Sequence, residues 1–188
     1  MKIGTKSVLF GAHCFFIHPF FVALAWIKLY GFPFDPRIWI AFFVHDLGYI
    51  GKPNIDGPEG ESHVELGAKI MRIFGEKWSD FSMYHSRYYA KKHGKKPSKL
   101  CFADKYSFCI TPRWLYLPMV HASGEIHEFL NNPKNYEFNL LDKYKSNTPI
   151  YNTTVWHARL CEYMSKWVQE HKDGRVDNWT KLRFNPGY

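Results

Sequence analysis

Four histidines and two aspartates recur along the first 104 residues, on or at the ends of five predicted helices. They are His18, His45, Asp46, His63, His85 and Asp104. A single histidine on an apolar helix face is usually a hydrogen-bonded core residue. Burying several imidazoles and carboxylates on successive helices is costly unless something pairs with all of them. A metal centre does this, so the set predicts a buried metal site.

The donor types narrow the choice of metal. Four imidazoles and two carboxylates suit manganese, iron, cobalt, nickel or zinc, whereas magnesium prefers an oxygen shell. Six protein ligands leave room for two ions, and Asp46 can bridge them because a carboxylate has an oxygen for each ion. The predicted cofactor is therefore one or two divalent transition metal ions.

Helices are the elements that would position these residues. Glycine and proline separate stretches in which apolar residues recur with helical spacing. No stretch shows the alternation of apolar and polar residues that is typical of a half-buried strand. The segment from Gly48 to Gly60 holds four glycines and two prolines and is predicted to be one ordered loop. The predicted helices run from about Pro19 to Tyr30, about Pro36 to Asp46, Ser62 to Gly75, Trp78 to Gly94, Pro97 past Phe108, and about Thr154 to His171.

The predicted ligands share helix faces with apolar residues. His63 lies on the same face as Phe74, and His85 lies on the same face as Phe81, so both histidines are predicted to point into a core. With 188 residues the chain is long enough for one domain to bury most of its apolar surface. The predicted fold is all-α, a single-domain helical bundle over residues 1–188.

Charge and cysteine content bear on partners and compartment. The net charge of +8, with lysines concentrated between 91 and 99, predicts an anionic partner. No aromatic-basic interleaving typical of a nucleic-acid module is present, so a small phosphorylated molecule such as a nucleotide is favoured over nucleic acid. The four cysteines form no CxxC pair and are predicted to be reduced core residues, which is typical of a cytoplasmic protein.

The N-terminal region superficially looks like a signal peptide. Lys2 and Lys6 precede an apolar stretch from Val8 to Trp26. His13 and His18 interrupt that stretch, and an imidazole is costly in a hydrocarbon layer. The segment is therefore predicted to be a buried core helix, with no association with a membrane.

The order and flanks of the six residues resemble the HD superfamily of metal-dependent phosphohydrolases. His18 is followed by Val22 and Ala23, and the resemblance continues through HDLGYIGK from His45, HVELGAKI from His63 and ADKYS around Asp104. It covers about residues 13–110, which leaves 111–188 as a helical C-terminal extension. The resemblance implies an HD-type bundle in which His18, His45, Asp46 and Asp104 bind one metal, and His63 and His85 add a second.

Phosphoester hydrolysis by a metal-bridging hydroxide is the reaction that the resemblance implies, with Asp46 central to it. Lys52, Arg87 and Lys105 are the predicted cations for the substrate phosphate. Adjacent helix positions point about 100° apart. Lys105 is therefore expected to turn away from the side of Asp104, and Lys52 and Arg87 rank above it.

Two differences from the motifs of the family bear on which of its subgroups the chain resembles. Tyr49 stands where nucleotidase-type members carry a glutamate, which weakens a deoxynucleotidase assignment, and no Gly-Tyr-Pro follows His85 as in the cyclic dinucleotide phosphodiesterases. A di-iron oxygenase with the same six ligands is the main alternative. A non-catalytic module that binds nucleotide or nucleic acid is the other.

The predicted roles of several other residues are less specific. His13 is predicted to be a core residue or to support a ligand. The segments 114–116 and 123–129 are predicted to pack in the core, with the wall of a substrate pocket as the alternative. Acidic residues near His63 are predicted to face solvent, with orientation of ligands or proton transfer as the alternative; these are Asp56, Glu59, Glu61 and Glu65.

Overall fold

The computed structural model describes residues 1–132 and 149–173. Over these residues the chain is helical and contains no strand, which confirms the all-α prediction for the described part. Two short 3-10 helices, Leu47–Tyr49 and Arg72–Phe74, join the α-helices. The α-helices are α1 (Ile3–Phe10), α2 (His18–Tyr30), α3 (Pro36–Val44), α4 (Pro58–Glu61), α5 (Val64–Met71), α6 (Glu76–Met83), α7 (Arg87–Lys92), α8 (Lys99–Ile110), α9 (Arg113–Ser123), α10 (Glu125–Asn131) and α11 (Pro149–His171).

Helix boundaries follow local signals in several places. The Asp35 side chain caps α3 by accepting a hydrogen bond from the backbone N–H of Arg37. Gly31 and Gly75, both with positive φ, end the helical segments that precede them. Proline stands in the first turn of α2 and of α3, where its missing N–H costs nothing.

The single helix predicted from Trp78 to Gly94 is wrong. The structure has two helices there, α6 and α7, and His85 lies between them. The Ser86 hydroxyl accepts a hydrogen bond from the N–H of Tyr89 and so starts a new helix. The predicted cap at Ser62 is also wrong, because His63 occupies the N-cap position of α5 and the Ser62 hydroxyl donates to the Glu59 carbonyl.

The main core lies where α2 packs along α8 and α3 closes over them. Small residues such as Ala25 and Ala103 allow the two helices to approach closely, and Phe42 of α3 is completely buried against them. Burial of a phenylalanine side chain stabilises the fold by about 1.5–3 kcal/mol. This core fixes the three helices that carry, or lead directly into, four of the six predicted ligands.

The apolar N-terminal stretch is not one buried helix as expected. It forms α1 and α2, joined by a turn over 11–17, and only one face of α2 is buried. On the other face Phe20 and Leu24 are 55% and 50% exposed. Within the described ranges, no helix combines the length and apolarity needed to cross a bilayer.

A second core joins α11 to α9 and α10. Trp156 is buried beside Tyr116, Val120 and Ile126. The neighbouring His157 is 6% exposed, and its ring centroid lies 4.8 Å from that of Phe108. Burial, assisted by the positive charge of Arg113, lowers the pKa of His157 to about 4. The imidazole is therefore neutral in the folded protein near neutral pH.

This buried imidazole predicts an acid-sensitive contribution to stability. The pKa of His157 is lower in the folded state than its ordinary 6.5, so the contribution is complete above pH 6.5 and is lost as pH falls towards 4. The loss amounts to about 2–3 kcal/mol in the free energy of unfolding. Denaturant unfolding at several pH values should show a smaller acid loss for His157→Phe than for the wild type. The exposed His121→Gln variant should follow the wild type, and parallel curves for His157→Phe would contradict the prediction.

Candidate metal centre

All six predicted ligands converge on one buried site. No more than 10% of any of their side chains is exposed. They come from five places in the chain: the start of α2 (His18), the end of α3 (His45 and Asp46), the N-cap of α5 (His63), the junction of α6 and α7 (His85) and the middle of α8 (Asp104).

The first group consists of His18, His45, Asp46 and Asp104, whose donor atoms all lie within 4.8 Å of one another. Nε2 of His18 is 3.2 Å from Oδ2 of Asp46 and 3.2 Å from Oδ1 of Asp104. Nε2 of His45 is 3.1 Å from the same Asp46 oxygen. Ligand atoms about 2.0–2.2 Å from one ion stand about 3.0–3.5 Å apart, so these separations fit a single transition metal.

The second group consists of Asp46, His63 and His85. The other carboxylate oxygen of Asp46, Oδ1, is 3.6 Å from Nε2 of His63 and 3.4 Å from Nε2 of His85. Asp46 therefore turns one oxygen to each group. A carboxylate in this position has one oxygen available for each of two ions.

The tautomers of three histidines leave Nε2 free to bind metal. Nδ1 of His45, His63 and His85 each donates to the backbone carbonyl three residues earlier, at 2.9, 2.7 and 2.6 Å. A carbonyl only accepts, so Nδ1 carries a proton, and in the neutral ring Nε2 has the lone pair. In His63 and His85 these two Nε2 atoms face each other at 3.0 Å. Two facing lone pairs repel, and a cation between them removes the repulsion.

An unsatisfied carboxylate oxygen gives a second, independent sign of a cation. Oδ2 of Asp46 is fully buried and has no hydrogen-bond partner among the described residues, although two imidazole nitrogens lie near it. A buried carboxylate oxygen without a hydrogen bond is costly. The donor set and its spacing therefore fit metal ions, and these buried histidines and aspartates can hold them.

Electrostatics differ between the two groups. Burial opposes a charge on His45, but the carboxylates of Asp46 and Asp104 outweigh it and raise the pKa of His45 to about 10. The same negative field attracts a divalent ion. Across the site, burial and the neighbouring His85 lower the pKa of His63 well below its usual value. His63 is therefore neutral, the state in which imidazole binds a metal.

Tyr49 and Gly48 hold the second group in place. The Tyr49 ring stacks on the His63 ring, with centroids 4.0 Å apart and planes 8° from parallel. A Cβ on Gly48 would collide with the backbone carbonyl of His63, so only glycine permits this approach. Tyr49, the residue that departs from the nucleotidase pattern, thus supports a ligand ring.

A cavity of about 310 Å³ opens from the ligands, with His18, His63, His85 and Asp104 in its wall. Two of the three predicted phosphate cations line it: Arg87 and Lys105. The Arg87 guanidinium lies 4.1 Å from the centroid of the Trp167 ring, and Lys105 Nζ lies 2.9 Å from Oδ2 of Asp104.

The positions of the three predicted phosphate-binding cations differ from the expected ranking. Lys52 donates to the Ser62 hydroxyl and is not part of the cavity wall. Lys105 turns back toward Asp104, because its long flexible side chain reaches round the helix from the adjacent position. Roles for Arg87 and Lys105 in catalysis stay predictions.

A buried hydrogen-bond network beside the site is not predicted by the sequence analysis. The Glu125 carboxylate, 0% exposed, accepts hydrogen bonds from the hydroxyls of Ser7 and Ser123 and from the N–H of Ala12. His13 Nδ1 lies 2.7 Å from Ser7 Oγ and 3.4 Å from Glu125 Oε1, and its ring lines the cavity. The partners are up to 118 residues apart in the chain, so no local pattern indicates the network.

Of the four acidic residues near His63, two line the cavity and two lie outside its wall. Asp56 and Glu61 line the cavity, and Ser86 donates to Glu61 at 3.1 Å. Glu65 accepts a hydrogen bond from the Tyr89 hydroxyl at 2.6 Å, and Glu59 accepts one from Asn54 at 2.7 Å. Tyr116 and Phe129, from segments predicted to pack in the core, belong to both the core and the cavity wall.

Comparisons of the chain with protein-family models, with curated proteins and with solved structures gave no match.

Proposed function

We propose that this protein is a metal-dependent phosphohydrolase of the HD type that cleaves a small phosphoester. The observation that carries the proposal is the position of Asp46, whose two oxygens face two separate groups of imidazoles. A shared carboxylate between two sets of nitrogen donors is the ligand arrangement that a two-metal centre for in-line displacement requires.

The six ligands and the two cations of the cavity wall have different roles in this reaction. The six ligands would hold two divalent ions, which would supply a lowered pKa for a water molecule and stabilisation of charge on a phosphoryl group. Arg87 and Lys105, in the wall of the same cavity, bind phosphoryl oxygens, and the planar Arg87 guanidinium can do so with two hydrogen bonds. In the net reaction the oxygen of water bonds to phosphorus, the ester P–O bond breaks, and the released alcohol takes up a proton.

Metal analysis combined with phosphate release tests this proposal. We expect about two transition metal ions per chain after purification without chelator, and phosphate release from simple esters that EDTA abolishes and added manganese, cobalt or iron restores. Two irons with oxygen consumption and no phosphate release would favour the di-iron oxygenase instead. Nucleotide binding without either reaction would favour the non-catalytic module.

A further inference from the structure

We propose that the substrate is a monophosphate ester whose alcohol carries a bulky apolar body, and that the cavity beyond the metal ligands holds this body. The inference rests on the proposed function for the reaction and on the cavity wall for the substrate class. The cavity is large enough for a small ligand, since its volume of about 310 Å³ lies at the lower end of the range for such sites.

Apolar residues begin one helix turn from the ligands. On α8, Phe108 lies four residues after Asp104, a rise of about 6 Å, and both residues line the cavity. On α2, Phe21 lies three residues after His18 on the same face and lines it too. A phosphate held at the ligands would therefore direct the rest of its ester along these two apolar faces.

The far wall is aromatic and aliphatic. The ring of Phe108 meets that of Tyr116 at 4.8 Å between centroids, and Trp156 stacks on Phe129 at 5.6 Å. From Trp156, Leu160 follows along α11 at a spacing of four residues and lines the cavity as well. Flat aromatic and branched aliphatic surfaces bind an apolar body by excluding water from it.

Three polar side chains of the cavity wall already donate hydrogen bonds within the protein. The Ser107 hydroxyl donates to the Asp104 carbonyl at 2.6 Å, and the Thr111 hydroxyl donates to the Ser107 carbonyl at 2.8 Å. The Asn132 amide donates to Asp56 at 3.0 Å. A nucleobase or a sugar needs several hydrogen bonds, and these side chains have already used donors on the protein itself.

The charges of the wall suit one phosphate. Among the described lining residues, the cations are Arg87 and Lys105, and Lys105 is paired with Asp104. Two carboxylates outside the ligand set, Asp56 and Glu61, line the same cavity. A triphosphate would bring further negative charge towards these acids without further cations to meet it. A single phosphoryl group on an apolar body avoids that repulsion.

Matched substrates test this inference with the metal-loaded protein. Naphthylmethyl phosphate and glycerol phosphate are both esters of alkyl alcohols, so they share the phosphate and the type of leaving group and differ in the apolar body. AMP and ATP provide the polar comparison. We expect kcat/KM for naphthylmethyl phosphate to exceed that for glycerol phosphate by about 100-fold, because each apolar group buried in a fitting pocket contributes about 10-fold or more. A higher kcat/KM for AMP, ATP or glycerol phosphate would overturn the inference and leave the proposed phosphohydrolase intact.

Binding of phosphonates gives a readout that does not need turnover. Calorimetry should show tighter binding of naphthylmethyl phosphonate than of methyl phosphonate, again by about 100-fold. If no ester releases phosphate, the proposed function fails, and the calorimetry still decides whether the cavity selects an apolar body. Equal affinity for the two phosphonates would overturn the inference.

Substitution in the apolar wall links the preference to the cavity. Leu160→Asn keeps the branched shape of the side chain and adds polarity, so it should lower the ratio of kcat/KM for naphthylmethyl phosphate over glycerol phosphate by about 10-fold. Met164→Gln, at another lining position, should act in the same direction if Leu160→Asn proves unstable. Leu66→Asn, at a position 42% exposed on α5, is the control and should keep the wild-type ratio. An unchanged ratio in folded Leu160→Asn and Met164→Gln proteins would place the apolar body elsewhere.

Discussion

An Asp46→Ala protein should contain no stoichiometric metal and should lose at least about 1000-fold in kcat/KM for phosphate release. Asp46 is the one residue that belongs to both groups of ligand atoms, so its removal weakens both sites together. Metal ions supply several kcal/mol of transition-state stabilisation, and each 1.4 kcal/mol corresponds to about a tenfold change in rate. Elemental analysis and phosphate release measured on the same preparation check both parts of the prediction.

A carboxylate variant elsewhere controls for loss of charge. Asp80 is an exposed residue of α6, and Asp80→Ala should retain the metals and the activity. Circular dichroism and denaturant unfolding would establish that the Asp46→Ala protein is folded. A folded and fully active Asp46→Ala protein would remove the basis for a metal-dependent mechanism at this site.

The ligand set is predictable from sequence because its signals are local. Asp46 directly follows His45, and His63 and His85 each lie in a stretch of apolar residues with helical spacing. Such a pattern indicates which residues point inward without knowledge of the fold. The structure brings all six side chains together in two groups that could hold metal ions.

The surroundings of the ligands depend on contacts that the sequence does not encode locally. His85 is held between two helices because the Ser86 hydroxyl competes for a backbone N–H, a choice that the apolar spacing from Trp78 to Tyr88 conceals. The Glu125 carboxylate is held by groups that are distant in the chain, because the Ser7 hydroxyl and the backbone N–H of Ala12 both donate hydrogen bonds to it. Lys52 donates a hydrogen bond to Ser62, and Lys105 donates one to Asp104. A long flexible lysine side chain can reach several neighbours in the folded protein, so its partner cannot be predicted from its spacing along the chain.

The backbone contributes directly to the chemistry of the site. In His45, His63 and His85 the same i−3 carbonyl contact fixes the tautomer, so the three rings present Nε2 inward without any help from an acidic partner. Helix ends and turns supply these carbonyls, because their oxygens are not all used within the helix. This explains why ligands concentrate at helix boundaries, with only Asp104 in a helix interior.

Removing ligands from one group only should separate the two metal sites. His85 belongs to the second group and Asp104 to the first, whereas Asp46 belongs to both. We expect His85→Ala to retain one metal per chain, held by the first group, and to lose about 100-fold or more in kcat, since even the outer partners of ligands are worth about 10–100-fold. His63→Ala should behave in the same way, because Nε2 of His63 and Nε2 of His85 face the same Asp46 oxygen.

Asp104→Ala makes the complementary change. It removes the carboxylate oxygen that lies 3.2 Å from Nε2 of His18 and leaves the two histidines of the second group with Asp46. Metal titration by calorimetry should therefore show that each variant loses a different one of two binding events. If His63→Ala and His85→Ala both retained two metals, the second group would not be a metal site. If every single variant lost both metals, the two ions would bind only as a pair, and Asp46 would be the physical reason, because each ion fixes the carboxylate that the other one needs.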